Sequence, residues 1–267
     1  MEKIGLIAGN RKFPLVVAQG AKKNGFQIVA VAIKRDTSSK LAQYVDKIYW
    51  IGLGEFTRMC EIFRQEGISK VVMAGQISPH RLFTKEVTGS EDLKSLLASL
   101  KDKKADSIFE AVARKLDEFQ IELLDSTVFV RELLPKKGTL TLRSPDPSDW
   151  EDIHFGFDLA KEIARLDIGQ TIAVKSKAGV AVEALEGTDN LIRRAGKISQ
   201  GAFLLVKVSK PRQDMRFDIP VLGLNTIKNL VKTGAKGLAF EAEKTLFIDL
   251  KESVNLANRK GLTIVAI

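Results

Sequence analysis

The densest set of chemically capable residues lies in one stretch, Lys207-Val208-Ser209-Lys210-Pro211-Arg212-Gln213-Asp214-Met215-Arg216-Phe217-Asp218-Ile219-Pro220. If Asp214 to Asp218 is extended, Asp214, Arg216 and Asp218 share one face, with Met215 and Phe217 on the other. A polar Asp-Arg-Asp face with an apolar backing suits the wall of a site. Carboxylates four residues apart on a strand stand roughly 13 Å apart, too far to ligate one metal ion. Unless the chain bends, one of the two does chemistry and the other does not. The plainer account is a surface strand whose charges neutralise each other.

A second set is Gly5-Leu6-Ile7-Ala8-Gly9-Asn10, with Pro14 just beyond. A glycine turn between a strand and a helix brings backbone N–H groups to a helix N-terminus, a natural seat for phosphate. The spacing is not G-x-G-x-x-G, so the dinucleotide fingerprint is absent. Lys34-Arg35 and Gly75-Gln76 would reach the same crevice at the carboxyl ends of parallel strands. A tight turn with no ligand is the alternative. The third set, Glu183-Ala184-Leu185-Glu186-Gly187-Thr188-Asp189-Asn190, ends a strand at Gly187. Thr188 or Asp189 would cap the next helix, or the oxygen-rich turn would hold Mg²⁺ or a sugar hydroxyl.

Other chemistries lack their residues. There is no G-x-S-x-G elbow and no Walker A loop. The two histidines, His80 and His154, cannot build a histidine-rich two-metal centre. His154, beside Phe155 and Phe157, is expected to be packed, and His80 is a weaker candidate for ligand contact. Cys60, the one cysteine, falls on an apolar helix face and excludes an internal disulfide. That cysteine count fits a reducing, cytoplasmic setting.

Strand and helix alternate in the elements that must position these groups. Strands are expected at Lys3–Ala8, Gln27–Ile33, Lys47–Ile51, Lys70–Ala74 and Ile121–Leu124. Helices are expected at Pro14–Asn24, Glu55–Glu66, Asp92–Lys101 and Asp106–Phe119. This is the pattern of a parallel, doubly wound sheet. Pro135, Pro145 and Pro147, three of the chain's seven prolines, mark a linker over 135–149. The reading is a Rossmann-like α/β domain over 1–134 and a distinct mixed-sheet α/β catalytic domain over 150–267. The second has a helix at Glu151–Leu166 and shorter ones near Asp189–Ala195, Thr226–Thr233 and Glu252–Arg259. Its strands fall at Gln170–Lys175, Val180–Glu183, Phe203–Ser209, Gly237–Glu241, Thr245–Leu250 and Leu262–Ile267. Turns at Lys177-Ala178-Gly179 and at Glu241-Ala242-Glu243-Lys244 predict hairpins, hence a mixed sheet.

The net charge of +9 points to an anionic partner. The bases are scattered and no nucleic-acid motif stands out, so no nucleic-acid partner is expected. No apolar run reaches the ~20 residues of a membrane span.

Taken in order, several stretches resemble the UDP-2,3-diacylglucosamine pyrophosphatases of lipid A biosynthesis, in the class without a calcineurin-like histidine-rich site. They are Ile4–Gly9 with Pro14, Val31–Lys34, Val71–Gly75, Leu166–Gln170, Val182–Asp189, and Val206–Pro211 continuing through Gln213–Pro220. The resemblance spans nearly the whole chain. It implies Mg²⁺-assisted hydrolysis of a glycolipid nucleotide to UMP and 2,3-diacylglucosamine 1-phosphate, with attack at the β-phosphorus and substrate held between two domains. It places the family's R-x-D-x-P aspartate at Asp218, as catalytic carboxylate or metal ligand, with Asp214 and Arg216 beside it and Asp189 as a second metal candidate. The expected substrate contacts are Gly9, Asn10, Lys34, Gly75, Gln76, Thr188, Lys207, Lys210 and Gln213. An acylated substrate adds transient contact with an anionic membrane surface, on the inner face of the inner membrane; a homodimer is left open. The sequence departs from the family pattern at Asn10-Arg11, where a glycine is common, and at Lys104-Ala105-Asp106-Ser107, where Gly-Asp-Asp is common. Two alternatives stay open: an NADP-dependent oxidoreductase using Lys34 and Arg35, and a non-catalytic nucleotide- or RNA-binding module with a steep salt dependence.

Overall fold

The computed structural model describes residues 1–77, 91–92, 94 and 105–267. His80 and most of the helix expected over Asp92–Lys101 lie outside them. The chain divides into two compact units: Met1–Arg131 with Asp214–Asp218, and Glu132–Gln213 with Ile219–Ile267.

In the first unit, β1 (Lys3–Ala8), β2 (Gln27–Ile33), β3 (Lys47–Ile51), β4 (Lys70–Ala74) and β5 (Glu122–Leu124) form a parallel sheet. Its order is β3-β2-β1-β4-β5. The apolar runs of β1 and β2 sit centrally and are buried nearly end to end, as strands covered on both faces require. Helices α1 (Phe13–Lys23), α2 (Phe56–Gln65) and α3 (Ala105–Glu118) connect the strands. Pro14 stands in the first turn of α1, where its missing N–H costs nothing. Strand order reverses between β1 and β4, so a crevice opens at their carboxyl ends. Gly9 and Gly75 let those ends close up. A Cβ on Gly9 would stand 2.5 Å from the Gln76 carbonyl oxygen, and one on Gly75, at φ +90°, 2.6 Å from that of Asn10.

The second unit holds a six-stranded mixed sheet. Its strands are β6 (Gly138–Thr139), β7 (Thr171–Lys175), β8 (Ala178–Val182), β9 (Leu204–Lys207), β11 (Gly237–Phe240) and β13 (Thr263–Ala266). β9, β11 and β13 are parallel, whereas β6, β7 and β8 are joined through antiparallel pairs. Part of the stretch read as a linker is therefore sheet edge. Helix α4 (Pro147–Arg165) begins four residues before the expected Glu151, because Asp146 and Asp149 form a reciprocal capping box around Pro147. His154 is exposed rather than packed, and stacks on Trp150 at 5.5 Å. The first expected hairpin forms, although its loop is Ser176-Lys177, both at positive φ. The second does not. Both edges of β11 are already taken by β9 and β13, so β12 (Leu246–Phe247) pairs instead with β10 (Val221–Leu222). Helices α5 (Thr188–Ser199), α6 (Leu224–Lys232) and α7 (Leu250–Arg259) bury Leu191, Ile192, Ile227, Leu230 and Ala257 against this core.

Candidate functional sites

At the switch point of the first unit, Gly9 and Asn10 meet Gly75 and Gln76, as the sequence implied. The contact is made by the groups expected to hold phosphate: the Gly9 amide donates to the Ala74 carbonyl at 2.8 Å and the Asn10 amide to that of Gln76 at 2.7 Å. Those amides brace β1 against β4, which leaves side chains and the start of α1 to meet a ligand. That start is basic in character, with Arg11 and Lys12 ahead of the helix and no acidic residue in its first turn. Lys34 is exposed just past β2, and its charge helps depress the Glu55 carboxyl, after the leading effect of the Gly52 amide.

The Asp214–Asp218 segment forms a turn of the first unit and is not extended. The reason is local. The Asp214 carboxylate accepts from the Arg216 amide at 2.9 Å, from Nε at 3.1 Å and from Nη2 at 2.7 Å. This side chain–backbone pairing competes with a strand. Hydrogen bonding to Arg216 holds the Asp214 carboxyl below its ordinary value against the opposing effect of burial, and Asp214 raises Arg216 in return. Phe217 turns into the core and stacks on Phe109 at 5.0 Å. Asp218 follows, half-buried, in the left-handed region at φ +51°. Asp214 and Asp218 are therefore not spaced along a strand, and they occupy different settings.

Sequence reading did not single out Ser126, which anchors this turn. Its amide donates to the Met215 carbonyl at 2.8 Å, and its Oγ lies 2.7 Å from the Met73 carbonyl oxygen and 2.6 Å from that of Arg216. The available signal was Asp125-Ser126-Thr127 directly after β5, a self-capping turn in which Asp125 accepts from the Thr127 amide and hydroxyl.

In the second unit, polar side chains gather at the carboxyl ends of β9 and β11, beside the start of β7. Lys207 is 6% exposed, and its Nζ donates to Thr171 Oγ1 and Thr188 Oγ1, both at 3.1 Å, with Glu183 at 3.8 Å. Thr188 in turn donates to Glu183 at 2.6 Å. It therefore works in this network rather than as a cap, and the N-cap of α5 is Gly187. Lys210 pairs with Asp167 at 2.7 Å, and its amide donates to Gln213 Oε1 at 3.3 Å. A neighbouring node, not expected from sequence, centres on Glu241. Its Oε2 accepts from Lys161 at 2.5 Å and from the Ser209 amide and hydroxyl at 2.9 and 2.7 Å; Oε1 meets Lys244 at 2.9 Å. Burial opposes ionisation most strongly here, yet these donors together pull the Glu241 carboxyl down to about 2.

Asp189 lies apart from these groups in role, because its two oxygens accept from the side-chain amides of Asn229 and Asn225, both at 2.9 Å. Coordination there would have to displace an amide. Among the described residues, no group of three or more His, Cys, Asp and Glu side chains could cage a metal ion. Mg²⁺ commonly takes only one or two carboxylates and completes its shell with substrate phosphates and water. Burial pushes the Cys60 thiol up to about 11, which agrees with a core residue and not a nucleophile.

Comparison with known proteins matches residues 3–133 to the LpxI N-terminal domain and residues 136–265 to the LpxI C-terminal domain. A curated relative from Caulobacter vibrioides, named UDP-2,3-diacylglucosamine pyrophosphatase LpxI, is 30% identical over 280 residues, covering 100% of this chain and 98% of that protein. Among solved structures, the biotin carboxylase domain of Hydrogenobacter thermophilus 2-oxoglutarate carboxylase is 18% identical with a TM-score of 0.30, covering 74% of this chain. The N5-carboxyaminoimidazole ribonucleotide synthetase of Thermotoga maritima is 17% identical with a TM-score of 0.25, covering 67% of this chain. This chain spans 42% and 40% of those two structures, and likeness at that level carries no argument.

Proposed function

The chain belongs to the LpxI family, and from that premise we propose that it hydrolyses the pyrophosphate bond of UDP-2,3-diacylglucosamine. The products are UMP and 2,3-diacylglucosamine 1-phosphate, in lipid A biosynthesis. The observation that carries this reading is the match of both family domains, in order, over residues 3–133 and 136–265. Membership sets the oxidoreductase and binding-module alternatives aside.

Asp218 is the proposed catalytic carboxylate, held on a turn that belongs to the unit with the switch-point strands. Its role is to hold or orient the attacking water. Arg216, kept charged and oriented by Asp214, offers a guanidinium to the developing phosphate charge. In the second unit, Lys207, buried in its hydroxyl and carboxylate network, and Lys210, paired with Asp167, are proposed substrate contacts. Mg²⁺, bound with the diphosphate and Asp218, would polarise a phosphoryl oxygen. No helix among the described residues is long and apolar enough to cross a membrane. The acylated substrate and the net charge of +9 support transient contact with an anionic bilayer surface.

The test is turnover of UDP-2,3-diacylglucosamine by purified protein in ¹⁸O-water, with Mg²⁺ present or chelated. Attack at the β-phosphorus puts the label in 2,3-diacylglucosamine 1-phosphate and leaves UMP unlabelled. Asp218→Ala should abolish turnover while preserving UMP binding. Full activity in that variant removes Asp218 from the mechanism, and absence of UMP release by the native protein removes the function.

A further inference from the structure

Residues 215–217 are each fixed by a separate contact within the first unit. The Met215 carbonyl accepts from the Ser126 amide at 2.8 Å. The Arg216 carbonyl lies 2.6 Å from Ser126 Oγ. The Phe217 ring is 4% exposed and stacks on Phe109 with an interplanar angle of 23°. Asp218 is the next residue, and its left-handed backbone at φ +51° costs free energy unless the surroundings impose it.

Ser126 is 1% exposed and fully engaged. Its hydroxyl reaches the carbonyl of Met73, inside β4 and two residues before Gly75, as well as that of Arg216. A single hydroxyl proton serves both oxygens, so the side chain ties the Asp218 turn to the strand that ends at the switch point. The tie is rigid at its base. Ser126 follows β5 directly, β5 pairs in register with β4 through Val72↔Leu124, and Asp125 closes the turn that presents it.

We propose that Ser126 is a positioning residue for hydrolysis, setting the backbone from which Asp218 and Arg216 reach the substrate. The proposal rests on the assignment of Asp218 above. Ser126 touches no reacting atom. Its effect passes through the Arg216 carbonyl, and misplacement of a catalytic group by about 1 Å costs on the order of 10²-fold in rate.

The experiment compares Ser126→Ala, Ser126→Thr, Phe109→Leu and Asp218→Ala in the full chain, by steady-state kinetics on UDP-2,3-diacylglucosamine and by circular-dichroism melting. Ser126→Ala is expected to lower kcat by about 10–10²-fold with KM close to native and the protein folded at assay temperature. Ser126→Thr restores the hydroxyl and most of kcat. Phe109→Leu loosens the other anchor and reproduces the kcat-dominated loss. Native kcat in Ser126→Ala beside an inactive Asp218→Ala overturns the proposal and leaves the functional reading standing. A loss that only tracks the unfolded fraction in both anchor variants overturns it as well. An active Asp218→Ala removes the assignment of Asp218 on which the proposal rests, and overturns the proposal with it.

Discussion

Replacing Glu241 by Gln separates charge from shape at a strongly perturbed carboxylate just past the end of β11. The side chain of Glu241 is 10% exposed and takes four donors, two of them cationic. Its folded-state value of about 2 lies below the ordinary 4.5. That difference of roughly 2.5 units corresponds to about 3 kcal/mol. The sign follows from the depression: the unfolded chain binds the proton more tightly, so the contribution is fully present above pH 4.5 and is lost as pH falls towards 2. Gln keeps an acceptor for Ser209 but leaves Lys161 without its anion. Because Lys161 and Lys244 are 23% and 51% exposed, water recovers part of the loss. The expected cost at pH 7 is therefore about 2 kcal/mol, below the 3–5 kcal/mol typical of a fully buried broken pair. Urea unfolding of both proteins at several pH values between 7 and 3 reads this directly. The gap between native and variant should narrow as pH drops below 4.5. A gap that stays constant to pH 3 would refute the reasoning, since it would show that the ionised carboxylate is not what the four donors stabilise.

Asp149→Ala should cost about 3 kcal/mol in denaturant unfolding, because Asp149 is 1% exposed, meets Arg143 at 2.8 Å and Lys236 at 3.1 Å, and closes the cap of α4. Gly75→Ala should destabilise by more than about 1 kcal/mol from its positive φ alone, with the clash against Asn10 added; native stability there would mean the strand ends are not so closely joined. Lys207→Met keeps the length of the side chain but leaves Glu183 without a cation. The variant should lose about 2 kcal/mol at pH 7, measured by urea unfolding, and native stability would show that the pair is not needed. Cys60 should resist a maleimide in the native protein and react only after unfolding; rapid native labelling would contradict its burial.

What the sequence determined by itself was the element plan and the family. Apolar runs such as Gln27–Ile33 locate central strands because a strand covered on both faces has no polar side to display. Glycines and prolines mark where elements stop, through φ and a missing donor. The short stretches around Gly9, Gly75, Thr188, Lys207 and Asp218 could be singled out because the residues within each are neighbours in sequence, whereas their spatial partners could not. Tertiary structure decided the rest. The partner strand of β12, the dependence of the Asp214–Asp218 turn on Ser126, and the node around Glu241 all join residues far apart in the chain. Ser126 and Arg216 stand 90 positions apart and Lys161 and Glu241 80, separations at which no periodicity can signal a contact. A hydrogen bond across such a distance is chosen by which edges and buried groups remain unsatisfied once the sheets have formed.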